Sequence, residues 1–279
     1  MIYNEVLKDP SKFNFEIVQL GQCLNDTPIK ASEYIESDER IAFSSQVKNI
    51  IHQYETKRCL PSFEKAGPRN RIFFEPLTTK AAIVTCGGLC PGLNTVVKGI
   101  VKTLIEEYGV EKVVGIRYGY KGLTSETKTK PIKLNSDFVD QLHSKGGTCL
   151  GSSRGNQSPV EMVDQLIEQN INLLFCIGGD GTLKGAQSIA NEIMKRGLNI
   201  GVVGIPKTID NDLSFVEKTF GFETSVEIAT QIITSAHCEA ESAEYGVGIV
   251  KLMGRDSGFI AATSSLANSV VDFCLIPEL

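Results

Sequence analysis

From Lys80 onward the sequence predicts an α/β fold, doubly wound, with a mostly parallel sheet between two helical layers. Three observations carry this. Apolar runs of strand length recur, among them Ala81-Ala82-Ile83-Val84, 172–177 and 200–205. Segments with apolar residues at helical spacing separate them. Glycine-rich turns close several of the runs, at the strand ends where open α/β sheets bind ligands.

Residues 1–79 read differently. They are polar, carry short scattered apolar pieces, and contain Pro10, Pro28, Pro61, Pro68 and Pro76. This pattern predicts an extension or embracing arm rather than an independent domain. Ala81 to Val84 is a buried strand, and Val96, Val97, Ile100, Val101, Leu104 and Ile105 mark one face of the next helix, with Asn94 as its N-cap. Val113 to Tyr118 is a strand, 137–145 a helix, and the run to Leu150 a short strand. Met162, Val163, Leu166 and Ile167 line another helix. The strands before Gly178 and Pro206 flank a helix marked by Leu183, Ala186, Ile189, Ala190 and Ile193. Residues 222–238 are predicted helical, 247–252 a strand, 258–266 a helix and 273–276 a last strand. The divisions are an arm (1–79), a first α/β domain (80–214) and part of a second (215–279).

Hydrophobic residues make up 42% of the 279 positions, so a real core is available. The formal net charge of −5 argues against nucleic-acid binding as the main business, which needs clustered Lys and Arg. A small anionic substrate needs only a local basic pocket. The eight cysteines lack paired zinc-type spacing. Cys176 and Cys274 sit in apolar runs and are expected to be buried thiols, and Cys86 and Cys90 to pack within their loop. No N-terminal signal pattern and no apolar run of roughly 20 residues appear, so the expected location is the cytoplasm, with no membrane contact.

The motifs carry the chemistry. Thr85-Cys86-Gly87-Gly88-Leu89-Cys90-Pro91-Gly92 joins a strand to a helix, where bare backbone and free N–H groups suit phosphate; a plain tight turn fits it as well. Gly178-Gly179-Asp180-Gly181-Thr182 is more specific. Asp180 would stand exposed between glycines and hold Mg2+ on a polyphosphate, while Thr182 would cap the helix or bind a phosphate oxygen. The bland alternative is a turn and cap. Thr208-Ile209-Asp210-Asn211-Asp212 sets two carboxylates after a strand, as transfer of a phosphoryl group to a hydroxyl requires of its base; an Asx turn is the plainer reading. His52, His143 and His237 lie outside every motif, so the base is expected to be a carboxylate. Arg154, in Gly151-Ser152-Ser153-Arg154-Gly155, could clamp phosphate, and Arg255 could hold a sugar phosphate or pair with Asp256.

Together these segments resemble 6-phosphofructokinase, in particular the longer ATP-dependent form of plants and protists. The likeness runs from about Ala66 to Glu278. It adds Ala66-Gly67-Pro68-Arg69, Phe220-Gly221-Phe222-Glu223-Thr224, Glu239-Ala240-Glu241-Ser242 and Met253-Gly254-Arg255 to the motifs above. The resemblance implies a Rossmann-like three-layer fold with an ATP-binding first domain and a partial sugar-phosphate domain. It implies transfer of the γ-phosphate of ATP to the 1-hydroxyl of fructose 6-phosphate, in glycolysis. Gly87, Arg154, Gly155, Gly179, Asp180, Gly181 and Thr182 would contact ATP, with Asp180 on Mg2+. Thr208, Ile209, Asp210, Met253, Gly254 and Arg255 would meet fructose 6-phosphate, Asp210 as the base. A homo-oligomer, dimer or tetramer, is implied for the complete enzyme.

Donor choice turns on Gly181 and Lys207. Pyrophosphate-using relatives place aspartate at Gly181, so glycine favours ATP; Lys207 occurs with both donors. Family members continue past the position matching Glu278, so a chain ending at Leu279 is expected to lack acceptor residues. Tyr245-Gly246 also stands where many bacterial members carry an arginine. The rival readings are a nucleotide-binding subunit without full activity, a pyrophosphate-dependent phosphofructokinase, and an NAD or lipid kinase, which shares only the Gly-Gly-Asp-Gly-Thr element.

Overall fold

The computed structural model describes residues 2–57, 60–127 and 129–279. The arm is made of α1 (Ile2–Lys8), β1 (Asn25–Asp26), β2 (Arg40–Ala42), α2 (Val47–Lys57), β3 (Ser62–Glu64) and β4 (Arg71–Ile72). β1 pairs with β4 and β2 with β3, both antiparallel. The arm's scattered apolar residues meet as an aromatic cluster. Phe15, Phe43 and Phe63 stand within about 6 Å of one another, and Tyr3 stacks on Phe43 with ring centroids 5.0 Å apart.

The main sheet begins at β5 (Lys80–Thr85), followed by α3 (Leu93–Lys102), which runs on into a π-helical turn at Thr103–Glu107. Next come β6 (Lys112–Ile116), β7 (Ile132–Lys133), α4 (Ser136–Asp140), α5 (Pro159–Glu168), β8 (Leu173–Gly178), α6 (Asp180–Lys195) and β9 (Gly201–Pro206). The strand order is β7-β6-β5-β8-β9, parallel except for β7. After β5 the chain adds β6 on one side and then returns to place β8 on the other. The crevice between the carboxyl ends of β5 and β8 is therefore a topological switch point, the usual ligand position in such sheets.

Alternation along the strands builds the layers. Ala82, Val84, Cys176 and Leu174 face α5 and α6, where Met162, Leu166, Ala186 and Ile189 close one core. Ala81, Ile83, Val113 and Ile177 face α3, with Leu93, Val97 and Val101. Ile189 is fully buried, so its truncation to Ala would cost about 2–5 kcal/mol. A third, small cluster joins α7 (Phe222–Glu241) to α8 (Phe259–Leu266) through Phe222, Ala229 and Ile260, with Ile209 packed against it.

Several expected elements differ. No strand forms at 146–150; Gly147 and Gly151 have φ of +77° and +71°, which turn the backbone out of a ladder. The helix expected at 137–145 stops at Asp140 and continues as turns. The segments 247–252 and 273–276 are not strands, because neither finds a strand partner among the described residues. Cys274 is exposed rather than buried for the same reason. The α3 N-cap is Gly92, not Asn94. Asn94 is instead buried: its amide donates to Lys145 O (2.8 Å) and its oxygen accepts from Cys149 N–H (2.8 Å), so it fastens the 145–149 turns.

An apolar cavity of about 530 Å3, lined by Phe73, Phe74, Ile100, Leu104, Leu173 and Phe175 among others, lies between the arm and the sheet. It opens near the amino end of β8, away from the switch point.

Candidate functional site

Five chain segments converge around the carboxyl ends of β5, β8 and β9. Cys86 N–H donates to Ile177 O (2.9 Å), which carries the β5–β8 ladder one residue into the glycine loop. Gly87 then adopts φ +80°, a conformation that most side chains resist. The 151–155 loop holds it from both sides: Gly87 N–H donates to Ser153 O (3.1 Å), and Ser152 Oγ donates to Gly87 O (2.6 Å). Arg154 is exposed on the same side, and a side chain at Gly88 would meet its guanidinium at 3.4 Å. Gly155 is exposed with φ +104°.

Lys207 is the hub. Its N–H donates to Gly178 O (2.9 Å), the last rung of the β8–β9 pairing, and its Nζ donates to Gly88 O. It is only 3% exposed, and burial lowers its pKa, with Arg154 adding to the drop. The buried thiols lie around it: burial pushes Cys86 up to about 12 and Cys90 to about 11, so both stay protonated and Lys207 keeps no thiolate partner. The packing role expected of these cysteines fits those values. Gly179 backs directly on Lys207 O and Thr208.

Asp180 opens α6 at its positive dipole end. It is exposed, and its Oδ2 accepts from Lys184 Nζ at 2.7 Å. Gly181 follows, and nothing lies within 4 Å of the point a Cβ would occupy there, so an aspartate would project into open space. Thr182 is buried: it lies against Gly178, and its carbonyl accepts from Tyr120 Oη (2.7 Å). The N-cap is Gly179, without a side-chain bond, so Thr182 does not cap the helix.

Asp210 is half-buried beyond Lys207. Burial, then the neighbouring Asp212 carboxylate, raises its pKa, while Arg255 and Lys207 pull it back down. Its N–H bonds Thr208 Oγ1 (3.1 Å), and its carbonyl accepts from Ser257 Oγ (2.9 Å). The last contact draws the Met253-Gly254-Arg255 turn to the Asp210 loop. Arg255 is exposed with φ +51°, and Gly254 is buried beneath it. Ile209 packs into the small α7–α8 core, so only its backbone faces the site. Met253 is 73% exposed.

The structure thus brings together Gly87, Arg154, Gly179, Lys207, Thr208, Asp210 and Arg255. Sequence reasoning missed Ser152 and Ser153 as the clasp of the glycine loop, and Ser257 as the tie between the Asp210 loop and the 253–257 turn. The Ser152 hydroxyl inside a glycine loop was the available signal for the first; Ser153, which acts through its backbone carbonyl, and Ser257 had none.

The donor set suits magnesium carried on a polyphosphate. Magnesium takes one or two carboxylates and completes its shell with phosphate oxygens and water. Asp180 is a solvent-facing carboxylate at a helix N-terminus, and no all-protein cluster of three ligand residues occurs among the described residues.

The phosphofructokinase family profile matches residues 80–279. The chain belongs to the phosphofructokinase family. The ATP-dependent 6-phosphofructokinase of Borreliella burgdorferi is 51% identical over 274 residues, covering 95% of this chain and 60% of that protein. A chloroplastic ATP-dependent 6-phosphofructokinase of Arabidopsis thaliana is 54% identical over 215 residues, covering 77% of this chain and 40% of the relative. The crystal structure of Pichia pastoris phosphofructokinase in the T-state superposes with a TM-score of 0.62 at 27% identity, over 75% of this chain and 24% of that one. The chain spans 60% or less of the length of these relatives. No helix among the described residues is long and apolar enough to cross a membrane.

Proposed function

We propose that this chain carries the donor half, and part of the acceptor half, of an ATP-dependent 6-phosphofructokinase. One observation carries the reading: Lys207 ties the glycine loop at Gly88 to the carboxyl end of β8 and stands beside Asp210, so donor and acceptor elements meet at one buried cation. Gly87 and Gly88, the first turn of α6 and Arg154 form a cradle for the ATP phosphates. Asp180 would hold Mg2+, which neutralises charge on the transferring phosphate when bound. Thr208 and Asp210 face the 1-hydroxyl of fructose 6-phosphate. Asp210 orients that hydroxyl and takes its proton as the oxygen attacks the γ-phosphorus and ADP leaves. Met253, Gly254 and Arg255 contribute to the sugar-phosphate pocket, with Arg255 as its cation. The divisions at 1–79, 80–214 and 215–279, a homo-oligomeric complete enzyme, and a cytoplasmic location belong to the same reading.

The experiment is calorimetric titration with Mg·ATP. Asp180→Ala is expected to lose Mg-dependent binding with little change in melting temperature, since Asp180 is exposed and its one ion pair among the described residues is with Lys184. Unchanged Mg·ATP affinity in a folded variant removes Asp180 from the metal role. The second reading is pyrophosphate as donor, and Lys207, which occurs with both donors, does not decide it. The open space at Gly181 weighs against it, and a direct comparison of the two donors decides.

A further inference from the structure

The arm reaches the acceptor side of the site through one side chain. Phe215 stands at the tip of the loop that follows Asp210 and Asp212, and its ring enters the arm's aromatic cluster. Ring centroids lie 6.3 Å from Phe15, 5.6 Å from Phe43 and 5.9 Å from Phe63. The first two contacts are edge-to-face, the arrangement that favours aromatic pairs. Tyr3 closes the outer side, stacked on Phe43 with its hydroxyl on Ser44 Oγ at 2.9 Å.

Phe215 also has φ +67°. A bulky side chain holds that conformation only where its surroundings over-determine it. The inner half of the loop is fastened to itself. Asn211 donates to Glu217 O (3.0 Å) and accepts from Thr219 N–H (2.9 Å), while Thr219 Oγ donates to Thr208 O. Val216 N–H reaches Leu213 O, and Leu213 is buried. A shift at the tip therefore passes through Glu217 and Asn211 to the peptide beside Asp210.

We propose that the arm is a positioning element for the acceptor side: its Phe15, Phe43 and Phe63 form a socket that grips Phe215 and so holds the 208–219 loop in the shape that presents Asp210 and Asp212. Phe215 and Phe63 are positioning residues that touch no reacting atom. The catalytic part of this inference rests on the phosphoryl-transfer reading; the mechanical part does not.

The test uses the full chain and three variants, Phe215→Ala, Phe63→Ala and Phe215→Tyr. Hydrogen exchange at the Val216 and Thr219 amides should quicken about tenfold or more in both alanine variants, with the amides of β5 and β8 unchanged. Phe215→Tyr should restore slow exchange, since the ring is half-exposed and a hydroxyl can reach solvent. In the two alanine variants kcat should fall about tenfold or more with KM for ATP held within about twofold, because the glycine loop and α6 are untouched, and Phe215→Tyr should keep kcat near the parent value. Unchanged exchange at 211–219 in both alanine variants overturns the proposal, as does a kcat loss that Phe215→Tyr does not rescue. If Phe215→Ala fails to fold, Phe63→Ala carries the test from the arm side. If the parent chain, which carries only part of the acceptor half, shows no turnover, the exchange result alone decides the socket, while the Mg·ATP titration decides the phosphotransferase reading.

Discussion

Asp210 carries two consequences of one environment. Its pKa is raised, so above that value the folded protein holds an ionised carboxylate at a cost that the unfolded chain does not bear. The cost vanishes below the ordinary carboxylate pKa. Asp210→Asn is therefore expected to melt higher than the parent at neutral pH, with the gap closing as pH falls through the carboxylate range. The same substitution should lower turnover by about 10²–10⁴-fold, the usual worth of a general base. Parent turnover should fall as acid protonates Asp210. A pH–rate profile and a pair of melting curves check all three. Gly181 gives a second test at this scale. The space beside it is open, so Gly181→Asp should fold normally yet weaken ATP binding, as like charges are brought together on the phosphate side. Melting and titration of the same sample separate these effects; unchanged ATP affinity contradicts the donor assignment.

At the scale of elements, legibility followed local pattern. The strands β5, β6, β8 and β9 and the helices α3, α5, α6, α7 and α8 were readable because each carries a local apolar pattern, which burial satisfies in β5, β8, α3, α5 and α6 and only partly in β9, α7 and α8. What failed depended on a partner. The segments 247–252 and 273–276 have strand composition, but a strand exists only with a neighbour, and periodicity does not say where the neighbour is. Asn94 failed for a related reason: its position before a helix suggested a cap, while its real bonds go to Lys145 and Cys149, over 50 residues away. Those bonds make a prediction. Asn94→Ala takes the partner from the Lys145 carbonyl and from the Cys149 N–H, two part-buried hydrogen bonds worth roughly 0.5–1.5 kcal/mol each. Denaturant unfolding should report that loss, and fast exchange of the Cys149 amide should accompany it. A loss below about 0.5 kcal/mol would mean water replaces the side chain.

Across the whole molecule, burial is uneven. The centre of the sheet, β5 and β8, is buried between its helical layers, whereas Tyr245, Val247, Ile249, Leu266, Phe273 and Leu275 around α7 and α8 are each more than 80% exposed. Apolar surface on that scale marks a contact face or an aggregation hazard. The chain is expected to associate as its concentration rises, and replacing Val247, Ile249 and Leu266 together by serine should reduce this in sedimentation. A parent chain that stays monomeric throughout the concentration range contradicts it. The site itself was half legible from sequence. The glycine turns and carboxylates announced themselves by residue type at strand ends. The hub role of Lys207, the serine clasp and the aromatic socket arise from contacts between distant segments.

The strand order also sets a timetable for synthesis. Central β5 pairs on one side with β6, which follows soon after it, but its other neighbour β8 is far downstream; the Lys80 amide bonds the Asn172 side chain across 92 positions. Phe15, Phe43 and Phe63 leave the ribosome long before Phe215 does. A nascent chain must therefore carry an aromatic cluster without its Phe215 and a half-dressed central strand until those later residues emerge. Slow passage between residues 85 and 215 lengthens that interval, so yield of native protein should respond to elongation speed there more than to speed through residues 1–79.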